Sequence, residues 1–132
     1  MATSKQIKQF ADLDLSFTIN PFTKDLYLKT DEDAVKTAIK HLIRTKNFER
    51  AFHPEIGTQV HSLLFENFSS ATKLAMERTI TESIEKFEPR ARLITVEIEE
   101  AVDTNDLVVN IIFTLKNTNS PITISTLISR VR

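Results

Sequence analysis

Between Leu107 and Leu115 every second residue is large and apolar: Leu107, Val109, Ile111, Phe113 and Leu115. A period of two puts all five side chains on one side of an extended backbone, so this stretch predicts a strand with one face turned into a core. A strand needs neighbours, and the flanking sequence supplies them. Upstream, Ile94, Val96 and Ile98 alternate with Thr95, Glu97 and Glu99; downstream, Ile122 to Val131 is rich in Ile, Thr and Ser. The connections, Asp103-Thr104-Asn105-Asp106 and Asn117 to Pro121, have turn chemistry. Three strands in succession joined by short turns predict an antiparallel meander over 91–132.

The apolar face of that sheet needs a cover, and residues 31–90 carry helical periodicity. Thr30 before Asp31, Glu32 and Asp33 predicts a helix start, with the hydroxyl capping a free N–H and the acids facing the positive helix end. Val35, Ala38, Ile39, Leu42 and Ile43 then mark one face, with Lys36, Lys40 and Arg44 on another, to about Thr45. A loop over 46–57 leads to a short helix with Val60, Leu63 and Leu64 inward and Phe65 and Phe68 extending the stripe. Ser69 or Ser70 caps a further helix over 71–87, with Met76, Ile80, Ile84 and Phe87 on its apolar face, and Pro89 ends it. Before all this, residues 12–19 alternate Leu13, Leu15, Phe17 and Ile19 with Asp12, Asp14, Ser16 and Thr18. That pattern predicts a half-buried strand or extended arm, broken at Asn20-Pro21 and followed by a short extended piece at Leu26, Tyr27 and Leu28. The expected architecture is one α+β domain over 1–132, with amphipathic helices packed on a small antiparallel C-terminal β-meander. Within it, 1–30 form an extended N-terminal arm, 31–90 the helical part and 91–132 the meander.

Composition narrows the function. With 17 basic and 18 acidic residues the formal net charge is -1, which gives no general attraction to nucleic acid or to an anionic membrane. Asp12 and Asp14 interrupt the only apolar run near the start, so no signal-peptide core is expected there. No stretch reaches the ~18 apolar residues of a membrane helix, so a protein starting life in the cytoplasm is expected. There is no cysteine, hence no disulfide framework or thiolate chemistry. A single glycine, Gly57, excludes every glycine-rich phosphate loop.

Catalytic and metal chemistry find little support. His41, His53 and His61 have no HExxH spacing, and His53, Glu55 and His61 could meet only if the loop folded back. No serine stands in a nucleophile elbow. Two carboxylates suffice for glycoside hydrolysis, and Glu55, Glu66 and Glu88 flank helix ends, but Trp is absent and Tyr27 stands alone as a sugar platform. Arg90 and Arg92 near Lys86, and Arg130 and Arg132 at the tail, are interleaved with acids instead of forming a nucleic-acid stripe. The expectation is no catalytic residues, no metal, no cofactor and no small-molecule substrate.

Two features point to binding. Phe87-Glu88-Pro89-Arg90 lies where a helix turns into the first strand of the meander. Pro89 stiffens that corner, and a rigid arginine suits bidentate recognition of carboxylates or carbonyls; the alternative is an internal Glu88–Arg90 pair that locks the turn. The last strand carries no charge from Pro121 to Ser129, and an uncharged edge strand invites pairing by another chain unless it is covered.

Phe52-His53-Pro54-Glu55-Ile56-Gly57, Leu64-Phe65-Glu66-Asn67 and Phe87-Glu88-Pro89-Arg90, in this order and over most of the chain from Asp12-Leu13-Asp14 onward, resemble the baseplate-wedge family of contractile-tailed phages. That family is often called lysozyme-like, and it includes the related baseplate subunit of type VI secretion systems. Ala51 stands before Phe52 where many relatives have proline. The resemblance implies a structural virion protein of the tail baseplate, assembled in the host cytoplasm. It implies that Glu88, Pro89 and Arg90 contact a helical core bundle of neighbouring wedge proteins. It also implies that the last strand, at Ile122, Ile124, Thr126 and Ile128, accepts arms of the first tail sheath ring by β-augmentation. A tail-associated peptidoglycan hydrolase is the competing reading, and the lysozyme label does not by itself identify two catalytic carboxylates.

Overall fold

Val109, Ile111 and Phe113 are fully buried at the centre of a three-stranded antiparallel sheet in the computed structural model of the chain. The structure describes residues 10–104, 106–116 and 118–130; residues 1–9, Asn105, Asn117, Val131 and Arg132 lie outside them. Two short strands, β1 (Ala11–Leu13) and β2 (Leu28–Thr30), precede helices α1 (Asp31–Arg44), α2 (Val60–Leu63) and α3 (Ser70–Phe87). The sheet follows as β3 (Ala91–Glu100), β4 (Leu107–Leu115) and β5 (Thr118–Ile128), in spatial order β3-β4-β5.

The core lies between the helices and one face of this sheet. Val35, Ile39, Leu42 and Ile43 of α1 and Met76, Ile80 and Ile84 of α3 pack with the alternating inner residues of β4 and with Ile98, Ile122, Ile124 and Ile128. Ser69 caps α3 by accepting from the Thr72 backbone N–H at 3.2 Å, which satisfies one orphan donor of its first turn. The loop between α1 and α2 is tied down from beneath. Thr58 Oγ1 donates to the Ile43 carbonyl, Ser83 Oγ donates to that of Gly57, and the Thr58 N–H reaches the Thr45 carbonyl.

Several expectations change. Thr30 precedes α1, but its side chain makes no cap. Instead Asp31 and Phe10 exchange bonds, the Asp31 N–H to the Phe10 carbonyl and the Phe10 N–H to Asp31 Oδ1, so the residue just before β1 holds the helix entrance. The 12–19 alternation does not bury its apolar side. Leu13, Leu15, Phe17 and Ile19 are exposed, while Asp12 and Asp14 turn inward to Arg90 and Lys29. The arm doubles back, with Leu13 opposite Leu28 and Ile19 bridged to Leu26. Ile94 is exposed as well, because a bulge between Leu93 and Thr95 breaks the two-residue period of β3. Phe65 does not extend the α2 stripe, and is 80% exposed. Pro121, expected in a turn, falls inside β5, which begins at Thr118; an edge strand tolerates it.

Candidate functional site

The corner between α3 and β3 is built by the sequence Phe87-Glu88-Pro89-Arg90. The Glu88 N–H closes α3 on the Ile84 carbonyl, Pro89 prevents another turn, and the Ala91 N–H returns to the Glu88 carbonyl. Glu88 is only 5% exposed, and a carboxylate so placed needs a partner. Arg90 supplies it as a fork: Nε donates to Oε1 at 2.7 Å and Nη2 to Oε2 at 2.9 Å. Nη1 lies 3.1 Å from each oxygen of Asp12 on β1, and the guanidinium lies over the Phe10 ring, 5.7 Å from its centroid. The hydrogen bonds of Glu88 hold the arginine pKa above its usual value; burial opposes that, and Asp12 adds to it. Of five guanidinium N–H groups, the second on Nη2 has no partner among the described residues. The internal pair left open by the sequence is therefore present. Pro89 is the exposed member of the corner.

The second feature is the sheet margin. The Ala101 N–H donates to the Asp106 carbonyl to close the β3–β4 turn, and the Ile98 N–H points away from β4, 3.4 Å from Glu77 Oε1. In an antiparallel ladder hydrogen-bonded and non-bonded pairs alternate, so Ile98–Val109 is a non-bonded pair and Val109 bonds β5 instead, opposite Thr126. The same alternation turns the backbone groups of Thr123, Ser125 and Leu127 to the free side of β5. Among the described residues none covers them. The margin of β3 is different: α3 lies along it, and Glu77 accepts one of its outward N–H groups. Ile122, Ile124, Thr126 and Ile128 line β5 as expected, but their side chains face the core. A strand added at this margin would meet the backbone of Thr123, Ser125 and Leu127. The missing signal is the strand's own parity, which assigns these alternate residues to the other face.

The carboxylates weighed for catalysis do not converge on a shared cavity. Glu88 is spent on Arg90, and the Glu66 carbonyl holds Arg130. Glu55 lines a cavity of about 210 Å³ with Asn47, Gln59 and Lys86, which includes neither of the other two. Its carboxyl is held below the usual range, first by its own backbone N–H and also by His53, with burial opposing; a glycosidase acid requires the opposite shift. Among the described residues no group of three metal-binding side chains occurs, and no helix is long and apolar enough to cross a membrane. His53 pairs with Glu55 and His61 with the Arg44 carbonyl.

A locked corner, a bare strand margin and a helical half filled by core packing define a structural subunit of a larger assembly. The comparisons agree. The family model of baseplate wedge protein gp25 matches residues 29–120, so the chain belongs to the baseplate wedge protein gp25 family and is a structural baseplate protein. Baseplate wedge protein gp25 of Enterobacteria phage T4 is 28% identical over 108 residues, covering 82% of this chain and 81% of that protein. Two solved structures share the fold. A Geobacter sulfurreducens protein described as a tail lysozyme has a TM-score of 0.74 at 22% identity, over 82% of this chain and 98% of its own. A chain of the anti-feeding prophage baseplate has a TM-score of 0.63 at 22% identity, over 89% and 83%.

Proposed function

We propose that this chain works without catalysing a reaction, as a tail-baseplate wedge subunit of the virion that joins two sets of proteins after synthesis in the host cytoplasm. One set is the core bundle of neighbouring wedge proteins, met at Glu88, Pro89 and Arg90. The other is the first ring of tail sheath, which adds a strand to β5. The observation that carries this reading is the margin of β5, where the backbone of Thr123, Ser125 and Leu127 has no partner among the described residues. Ile122, Ile124, Thr126 and Ile128 act from the core side, holding that strand in register. An uncharged strand with free backbone groups suits β-augmentation.

At the corner Glu88 positions and Arg90 recognises. The fork fixes the guanidinium plane, and the unpaired Nη2 N–H is available to a partner carbonyl beside the exposed ring of Pro89. One hydrogen bond alone would make a weak interface. The apolar side of the N-terminal ribbon adds area to it, since Leu13, Leu15, Phe17, Ile19 and Leu28 are each 43–61% exposed.

Co-expression with the neighbouring tail genes, followed by size-exclusion chromatography, tests both contacts. Arg90→Lys keeps a positive charge but loses the fork, and is expected to fold yet fail to enter wedge complexes. Ser125→Pro removes an outward N–H and leaves the β4 ladder intact, so wedge complexes should form but not nucleate sheath. Normal assembly by both variants overturns the docking scheme. Release of fragments from purified peptidoglycan by the isolated chain, lost in Glu55→Gln or Glu88→Gln, would overturn the non-catalytic reading.

A further inference from the structure

A groove of about 600 Å³ runs between α3 and β3, and its lining includes no residue of the corner or of β5. Two exposed apolar side chains share it although they are far apart in sequence. Leu74 on α3 is 66% exposed, and Ile94 is 57% exposed because the β-bulge turns it out of the core. The charged residues of the groove are Glu77, Arg78, Glu82 and Glu85, three acids to one base. Arg78 Nε is 2.8 Å from Glu82, and Lys73 lies 3.8 Å from Glu77. Glu85 has no ion pair among the described residues. We infer that this groove binds a basic amphipathic helix of a partner protein, with apolar side chains seated on Leu74 and Ile94 and lysine or arginine facing Glu85 and Glu82.

The form of the occupant follows from the strand beside the groove. A partner strand would need regular outward N–H and C=O groups along β3. There the bulge at Ile94 breaks the repeat, and Glu77 already accepts from the Ile98 N–H. A helix needs neither group; it requires an apolar floor at i, i+3 and i+4 spacing and complementary charge on the rim. Among the described residues a second copy of this chain offers no such helix, because α1, which carries Lys36, Lys40 and Arg44, has its apolar face buried in its own core. The inference holds whether or not the corner and the β5 margin bind as proposed.

The probe is a labelled synthetic peptide of ~14 residues, leucine and lysine at helical spacing, titrated against the full chain by fluorescence anisotropy. A peptide of the same composition with strict leucine–lysine alternation serves as the strand control. Saturable binding of the helical peptide is expected, weakening several-fold as salt is raised, with amide shifts mapped to residues around Leu74, Glu85 and Ile94. Leu74→Lys and Ile94→Lys alter exposed positions, and each should weaken it by roughly tenfold or more. Val102→Lys, an exposed position between β3 and β4, should leave binding unchanged. Equal or tighter binding of the alternating peptide overturns the inference. So does binding that survives both groove variants, or no binding at all.

Discussion

Arg90 reaches 78 positions back along the chain to Asp12, with its Nη1 3.1 Å from each carboxylate oxygen. The same guanidinium grips Glu88 two residues away, so one side chain joins the end of α3, the start of β3 and the N-terminal ribbon. Glu88 could not be buried without it. Asp12 is different, because its side chain is 41% exposed and water can replace the arginine.

That asymmetry sets the order of effects in a urea series. Arg90→Ala strands a buried carboxylate. Loss of one partner of a buried pair costs ~3–5 kcal/mol, which the partial exposure of Arg90 reduces to about 2–3 kcal/mol. Asp12→Ala should cost less than about 1 kcal/mol. Replacing both Glu88 and Arg90 by hydrophobic residues should cost less than Arg90→Ala alone. The reverse order, with Asp12 the more costly, would mean that the ribbon and not Glu88 is the main partner of the arginine.

Gly57→Ala should be among the most damaging single substitutions. The residue sits at φ +136°, and an added Cβ would stand 2.8 Å from the Lys46 carbonyl carbon and from the Thr45 and Lys46 carbonyl oxygens. These are backbone atoms and cannot swing aside. A cost of about 3 kcal/mol, or a thermal midpoint lower by ~10 °C, is expected. A fall of only a degree or two would show that the 46–57 loop can move away from the end of α1.

The parts of this fold that are legible in the sequence are those where one periodicity acts alone. Alternation from Leu107 to Leu115 gives the central strand because burial of one face is all that shapes it. Helix α3 is equally plain, with Ser69 capping and Pro89 stopping it. The same rule misleads at 12–19, where the ion pairs of Asp12 and Asp14 outweigh the burial of four apolar side chains. It fails again at Ile94, since a bulge leaves no mark in a pattern of apolar and polar residues. At the corner the Glu88–Arg90 pair is readable as one of two alternatives, being local. Its third member, Asp12, is not, because nothing local links positions 12 and 90. The free margin of β5 is readable as an uncharged strand, but which residues turn their backbone outward depends on register. Only the Ala101 and Ile98 hydrogen bonds settle that.

Asp14 gives the N-terminal ribbon a dependence on acid. Its carboxyl accepts from the Ser16 N–H at 3.1 Å and lies 3.6 Å from Lys29. The Ser16 backbone bond is the largest cause holding its pKa below the ordinary 3.8; burial opposes it, and Lys29 helps. The folded form therefore binds a proton less readily than the unfolded one. The stabilisation is complete above the ordinary value and is lost as pH falls through the folded one. An NMR titration of the Asp14 carboxyl carbon from pH ~5 to pH ~2 should give a midpoint below 3.8, with the Ser16 amide losing protection alongside. In Asp14→Asn that step should vanish from Ser16. A midpoint at or above the ordinary value would remove the turn as its cause.

Thr126 is the one buried polar side chain of β5, 5% exposed among isoleucines, and its Oγ1 has no hydrogen-bond partner among the described residues. A hydroxyl taken out of water without compensation costs ~1–3 kcal/mol, and valine has nearly the same shape without that cost. Thr126→Val should therefore raise stability by about 1 kcal/mol in urea unfolding, with an unchanged denaturant slope. The same variant tests the docking proposed at β5. The Thr126 side chain points into the core while the outward backbone groups belong to Thr123, Ser125 and Leu127, so a more stable Thr126→Val protein should nucleate sheath as well as the parent. Loss of nucleation with a gain in stability would mean that the hydroxyl, and not the backbone margin, is what the partner recognises.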